Sequence, residues 1–219
     1  MNPRLSILIA TTPDRRPMFM KLRGELERQS MAFGEVTGTT LGLHHDPSKP
    51  IAYSIFVGPV EIHWHEDNKE LSIGAKRQAM IEAATGDYVA HFDSDDWPAP
   101  NYVSAILTAL ESDPDTVGML IRVEGLAPKP QTGIGSMRFA RWQNNKAGYD
   151  YVRPTYHKNP TRRSIALAVG FKDMRFGEDF DYSIRLKDSG LLKTERMVNE
   201  ELYIYRYKYA PHGVKYGIK

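Results

Sequence analysis

The segment "LSILIA", residues 5–10, is apolar almost throughout and has strand length, the pattern of a strand buried on both faces of a parallel sheet. Three further strand-length segments follow, "VEIHW" at 60–64, "YVAHF" at 88–92 and "VGMLIRV" at 117–123. Helical spacing separates them. Met18, Leu22 and Leu26 recur at i, i+4, i+8. Ser72 is placed to cap a helix running through Thr85, with Gly86 as its left-handed stop. Asn101 is placed to cap another that carries Val103, Ile106, Leu107 and Leu110. Strands alternating with helices predict an α/β fold, a three-layer α/β/α sandwich around a mostly parallel, mixed central sheet. Sites in such sheets lie outside the carboxyl ends of the strands. The 11–16 loop and the acidic cluster at 93–96 both fall there.

Two stretches resist this pattern. Residues 30–58 are rich in Gly and Pro and receive no element, and from about 124 to 163 the periodicity is lost. Regularity returns with "SIALAVGF", and the last eleven residues of "FGEDFDYSIRLKDSG" read as a helix stopped by Gly190. "ELYIYRY" then reads as an aromatic-rich strand.

The segment "HFDSDDW", 91–97, places three carboxylates within four positions. Like charges this close repel, so either a solvated Asx-type turn or a bound cation accounts for them. A calcium-binding EF-hand loop fails, because Trp97, Pro98 and Ser104 stand where a ligand, Gly and Glu are needed. A haloacid-dehalogenase-type phosphatase also pairs an apolar strand with D-x-D, but after the first strand and before Gly or Thr. What remains is Mg²⁺ or Mn²⁺ held by one or two carboxylates plus substrate phosphates.

Composition sets the outer bounds. With 41% hydrophobic and 26% charged residues, the 219-residue chain suits one globular domain. The lack of cysteine excludes disulfides and thiolate metal sites. The first apolar run is too short for a signal segment and no 18-residue apolar stretch occurs, so the chain reads as cytoplasmic, in the host cytoplasm if phage-encoded. His63-x-His65 lacks a third ligand at sensible spacing and reads as structural.

Taken in order, "LSILIATTPDRR", "EDNKELSIGAKRQAMIEAATGDYVAHFDSDDW" and "FGEDFDYSIRL" resemble the family 2 glycosyltransferases of the GT-A fold, over residues 5 to about 186. "RPTYHKNPTRRSIALAVGF" is similar to the corresponding segment of small bacterial and phage-type members. The resemblance implies one GT-A domain over 1–219, with about 1–97 binding a nucleotide sugar and about 98–219 the acceptor. It implies Mn²⁺ or Mg²⁺ at Asp95, Asp93 and Asp96, with His212 of "YAPHGV" completing the shell. It places Asp67 on the uracil of a UDP-sugar, Thr11, Pro13 and Arg15 at the nucleoside, Lys76 and Arg77 at the phosphates, and Asp93 and Ser94 at the donor. Asp179, beside Glu178, matches the general base of an inverting transfer, and Asp181 is structural or acceptor-binding. Each has a plainer reading as well: an exposed loop Asp for Asp67, solvated helix residues for Lys76 and Arg77, helix capping for Asp179, a solvated loop His for His212. The Q-x-x-R-W motif of processive members is missing after "GEDFDYSIRL", which favours a single transfer.

The acceptor is read from charge. Lys129, Arg138, Arg141, Lys146, Arg153, Lys158, Arg162 and Arg163 lie between 129 and 163, opposed by Asp150 alone, with Phe139, Trp142, Tyr149, Tyr151 and Tyr156 interleaved. Basic groups with aromatics suit a nucleic-acid groove, so the expectation is a polyanionic acceptor such as phage-type modified DNA, with a cell-surface saccharide as the alternative. A phosphatase or a non-enzymatic nucleic-acid-binding module on the same scaffold is the competing class.

Overall fold

A computed structural model of the chain describes residues 4–42 and 51–207. The apolar segments become β1 (Leu5–Thr11), β4 (Val60–Glu66), β5 (Tyr88–Asp93) and β7 (Thr116–Glu124). The intervening helices are α1 (Arg16–Ser30), α2 (Ile73–Ala83) and α3 (Tyr102–Leu110). The segment without an assigned element supplies β2 (Val36–Gly42) and β3 (Ile51–Val57), an antiparallel pair. Residues 124–163 contain β8 (Gln131–Gly135), β9 (Gln143–Lys146), β10 (Tyr149–Arg153) and β11 (Thr161–Arg162). The chain closes with α4 (Arg163–Val169), α5 (Glu178–Asp188) and β12 (Glu195–Arg206), while β6 (Trp97–Pro98) pairs with β12.

The sheet order is β2-β3-β4-β1-β5-β11-β7-β8-β10-β9, with β12 alongside β7. β4, β1 and β5 run parallel, as do β7 with β12 and β8 with β10; β11 joins β5 to β7 through antiparallel pairs, and β2 with β3, β3 with β4, β7 with β8 and β9 with β10 are antiparallel as well. The period of two along β1 builds two cores. Leu5, Ile7 and Ile9 face Phe19, Leu22 and Leu26 of α1 and Val103, Ile106 and Leu110 of α3. Leu8 faces Met80 and Ile81 of α2, Ile165 of α4, and Tyr182 and Leu186 of α5. Each fully buried Leu or Ile contributes roughly 1.5–3 kcal/mol, so a one-residue slip of β1 would exchange both cores and cannot compete. The three-layer sandwich expected from the sequence is the one observed.

Local details differ from expectation at several ends. Ser72 does cap α2, its Oγ accepting the Ala75 N–H at 3.0 Å. Gly86, however, is not left-handed; a Cβ there would lie 2.6 Å from Ser6 Oγ and 2.8 Å from Ser6 N, so close packing on β1 demands the glycine. Asn101 stands at the cap position of α3, but its side chain donates to Glu200 at 2.6 Å instead. In α1 Phe19, rather than Met18, is the fully buried residue of the first turn. α5 begins at Glu178, two residues before the expected start, and Gly190 follows it in the left-handed region at φ 65°.

Candidate active site

Strand register brings the carboxyl ends of β1, β4 and β5 together. Ala10 pairs with Asp93 and Thr11 with Glu66. The acidic cluster therefore opens beside the 11–16 loop, as the topology rule requires.

Each carboxylate of the cluster has a basic partner. Asp93 accepts from Arg77 Nη2 at 2.9 Å on one oxygen and faces Lys158 Nζ at 2.8 Å on the other. Burial pushes its carboxyl up, yet Lys158 and Arg77 prevail and hold it well below the usual carboxylate range. Asp96 is 1% exposed and fully engaged: Oδ2 accepts from Lys158 at 2.9 Å and from the Tyr203 hydroxyl at 2.5 Å, and Oδ1 accepts the Arg206 N–H at 2.9 Å. Asp95 differs. Its side chain is 15% exposed and pairs with Arg15 at 3.2 Å. Burial, then the Asp93 charge, pushes its pKa up to about 6.

Those contacts decide what metal the cluster fits. Among the described residues no group of three His, Cys, Asp or Glu side chains is arranged to hold an ion. Asp95 alone has carboxylate capacity free of buried partners. That suits a hard cation taking one protein carboxylate and completing its shell with diphosphate oxygens and water. His212 lies outside the described residues.

A cleft of about 310 Å³ is lined by Thr11, Thr12, Arg15, Lys76 and Arg175, among others. The Oγ1 atoms of Thr11 and Thr12 and the Oγ of Ser94 are buried without a hydrogen-bond partner among the described residues. Unpaired buried hydroxyls cost stability unless a ligand uses them, so the pair of threonines suits a polar ligand in this cleft. Pro13 opens a short 3-10 turn, Pro13–Arg15, that carries Arg15 toward Asp95. Asp67 is held by Lys76 and by the N–H groups of Leu71 at 2.9 Å and Lys69 at 3.3 Å. Burial opposes its ionisation, but the Lys76 contact prevails and its pKa is lowered. Lys76 thus faces the cleft with its charge tied to Asp67. Arg77 is turned inward and bridges Asp93 to Glu178, 3.3 Å from the latter's Oε1.

A larger cavity, about 720 Å³, runs from Asp93 and Lys158 to Glu178 and Asp179. Gly177 precedes α5 at φ 75°, a left-handed conformation that L side chains resist. The turn sends Glu178 inward to Arg77 and leaves Asp179 35% exposed on the cavity, with Arg153 Nη2 at 3.4 Å. Burial raises the Glu178 pKa. Asp181 is tied to Lys172 at 2.7 Å and Arg185 at 2.6 Å. The opposite wall is aromatic. Trp142 stacks on Tyr151 with centroids 4.5 Å apart, and Arg153 lies 3.5 Å over the Tyr156 ring. Neither the Arg153 contact nor the Lys158 pairing is signalled in the sequence by any periodicity, since both residues sit in the irregular stretch.

Of the eight basic residues counted between 129 and 163, four have close internal partners, and a fifth, Arg138, lies 3.7 Å from Glu195 while staying 67% exposed. Lys158 serves the acidic cluster and Arg153 faces Asp179. Arg162 pairs with Asp113 at 3.0 Å, and Arg163 donates to the carbonyls of Ile81 and Glu82. Lys129, Arg138, Arg141 and Lys146 remain exposed. His63 and His65 are buried, His63 against Ser54 at 2.7 Å, and burial lowers the pKa of both, that of His65 to about 4. Both are neutral and buried, and among the described residues neither belongs to a group of three side chains arranged to hold an ion.

Residues 46–173 match the family described as "Glycosyl transferase family 2". The chain belongs to that family. Across 175 residues this family 2 chain is 23% identical to the glucosyl-dolichyl phosphate glucuronosyltransferase of Haloferax volcanii, covering 68% of itself and 53% of that protein. A 53-residue stretch, 24% of the chain, is 42% identical to EpsH of Bacillus subtilis, covering 15% of it. The fold matches residues 1–349 of S. aureus TarS in complex with UDP-GlcNAc, with TM-score 0.60, 12% identity, and coverage of 93% of this chain and 58% of that one. The GT-A architecture is therefore observed as well as expected. This family 2 chain spans about half the length of the Haloferax relative. No helix among the described residues is long and apolar enough to cross a membrane.

Proposed function

We propose that this chain transfers a single sugar from a UDP-sugar to a hydroxyl of an acceptor, with inversion. One observation carries the reading: a continuous cavity joins the acidic cluster at Asp93 to Asp179, about the size of a sugar and its acceptor together. The nucleoside lies in the adjoining cleft against Thr11, Thr12 and Arg15, and the diphosphate reaches toward Ser94 and Asp95. TarS, a fold neighbour, is known in complex with UDP and with UDP-GlcNAc, which supports the choice of base. Asp179 takes the proton of the acceptor hydroxyl. The oxygen attacks the anomeric carbon as the bond to the β-phosphate oxygen breaks, and UDP leaves with the electron pair. A single in-line displacement inverts the centre. Asp95 would hold a divalent cation, which when bound would supply Lewis-acid stabilisation to the departing diphosphate.

The experiment is a thermal-shift panel of UDP, GDP and CDP, each with Mn²⁺ and with chelator. UDP with Mn²⁺ at about a hundred times its Kd should stabilise by roughly 2.7 kcal/mol. For a chain of this length that is a rise of about 5–10 °C. Preference for GDP or CDP would replace the base alone. No shift with any nucleotide would remove the donor assignment.

For the acceptor, the aromatic wall with Asn144, Asn145 and Asp150 in the cavity lining favours a saccharide. Apolar ring faces and amide groups suit sugar rings and hydroxyls, and the four exposed cations that remain are few for a polyanion track. A DNA acceptor predicts retention in gel shifts, with log K falling by about 0.9 per phosphate contact for each unit of log salt. A saccharide acceptor predicts no retention near physiological salt, and at least about a tenfold rise in acceptor KM for Trp142→Ala. Steep salt-dependent DNA retention would reverse the choice.

A further inference from the structure

Lys158 stands in the loop between β10 and β11, yet its ammonium lies inside the acidic cluster. It is 5% exposed, and its three donors meet three acceptors: Asp93 at 2.8 Å, Asp96 at 2.9 Å and the Tyr203 hydroxyl at 2.9 Å. The Tyr203 ring lies 4.0 Å beneath the same ammonium, and its hydroxyl donates a hydrogen bond to Asp96 while accepting the Asp93 N–H at 3.1 Å. An ammonium that bridges two carboxylates in this way supplies the counter-charge a metal would bring. We infer that Lys158 is a built-in cation of the donor site, which withdraws Asp93 and Asp96 from metal binding and leaves Asp95 as the cation's protein contact, so that a divalent ion enters only together with the diphosphate.

This rests on the donor-site reading above. For an ion to bridge Asp93 and Asp96 it would have to displace a buried ammonium, leaving that charge without its carboxylate partners, which is strongly unfavourable. Asp95 imposes no such cost, because its partner Arg15 is 31% exposed and can turn to water. A single carboxylate holds Mg²⁺ or Mn²⁺ weakly, since these ions give up water reluctantly. Adding diphosphate oxygens completes the site.

The test is Mn²⁺ titration of the whole chain, followed by the paramagnetic resonance signal of free Mn²⁺. Without nucleotide the wild-type protein should leave the signal undiminished at Mn²⁺ concentrations where, with UDP present, a stoichiometric ion is bound. Lys158→Met should create nucleotide-free Mn²⁺ binding, because the Oδ2 atoms of Asp93 and Asp96 then lose the ammonium they share. Lys158→Arg, which keeps the charge, should not. Nucleotide-free binding by wild type within about tenfold of that with UDP, and lost in Asp93→Asn, overturns the inference. The wild-type titration decides this even if Lys158→Met does not fold. If UDP fails to bind at all, the donor reading falls, while the nucleotide-free comparison of wild type with Lys158→Met still judges the role of Lys158.

Discussion

Asp179→Asn is expected to lower turnover by ~10²–10⁴-fold while the UDP-induced thermal shift is retained, the usual effect of removing a positioned base. The substitution keeps shape and removes the ability to take a proton. It should leave the fold intact, because Arg153, the one ion-pair partner of Asp179 among the described residues, keeps its seat on the Tyr156 ring at 3.5 Å. The neighbours cannot replace it where they stand. Glu178 is turned inward to Arg77, and Asp181 is fixed by Lys172 and Arg185. Turnover, read as UDP release from whichever UDP-sugar and acceptor the wild-type enzyme uses, is to be compared with Glu178→Gln and Asp181→Asn. Near-normal turnover in Asp179→Asn, with a large loss in either of the others, would transfer the role.

The parts of the fold that were legible in the sequence are those whose burial is set by the strand itself. β1, β4, β5 and β7 are central, and continuous or alternating apolar residues mark them wherever they lie. β9 reads "QNNK" and β8 "QTGIG"; neither carries an apolar run, and both are strands because a neighbour supplies their hydrogen bonds. Sequence period reports burial, not a hydrogen-bonding neighbour, even one as near as β10 is to β9. β2, "VTGTTLG", is concealed in the same way, whereas β3, "IAYSIFV", does carry an apolar run, hidden by the Gly- and Pro-rich sequence around it.

The site was legible where local sequence fixes it. "DSDD" begins on the last residue of β5 and the "ED" of "GED" follows a left-handed glycine, so the positions of Asp93, Asp95, Asp96 and Asp179 relative to their strand and helix come from a few adjacent residues. Charge was not legible in the same way. A linear count treated Arg153, Lys158, Arg162 and Arg163 as free cations, whereas the first three pair with carboxylates and Arg163 donates to backbone carbonyls, all distant in sequence. The halves on either side of residue 97 are likewise interwoven at the donor site: Lys158, Glu178 and Tyr203 all reach the cluster that β5 delivers.

Arg77→Met should lower the stability of the protein by ~3–5 kcal/mol, the cost of removing one partner from a buried ionic network. In thermal unfolding that is a fall of roughly 10 °C or more for a chain of this size. One guanidinium joins three elements, since it stands on α2, contacts Asp93 at the end of β5 and contacts Glu178 at the start of α5. Asp93 keeps Lys158 when Arg77 is lost; Glu178 keeps no basic partner among the described residues. Most of the penalty should therefore fall on Glu178, whose pKa burial already raises. That makes a second arm possible. Adding Glu178→Gln to Arg77→Met should return part of the lost stability, because a neutral amide removes the uncompensated charge, and the two substitutions should be clearly non-additive. A phosphate-binding role for Arg77 predicts the opposite pattern, with the melting temperature of the free protein unchanged and UDP affinity reduced. Melting curves of the single and double variants without ligand, set beside UDP titrations, discriminate between an arginine that holds the site together and one that holds the donor.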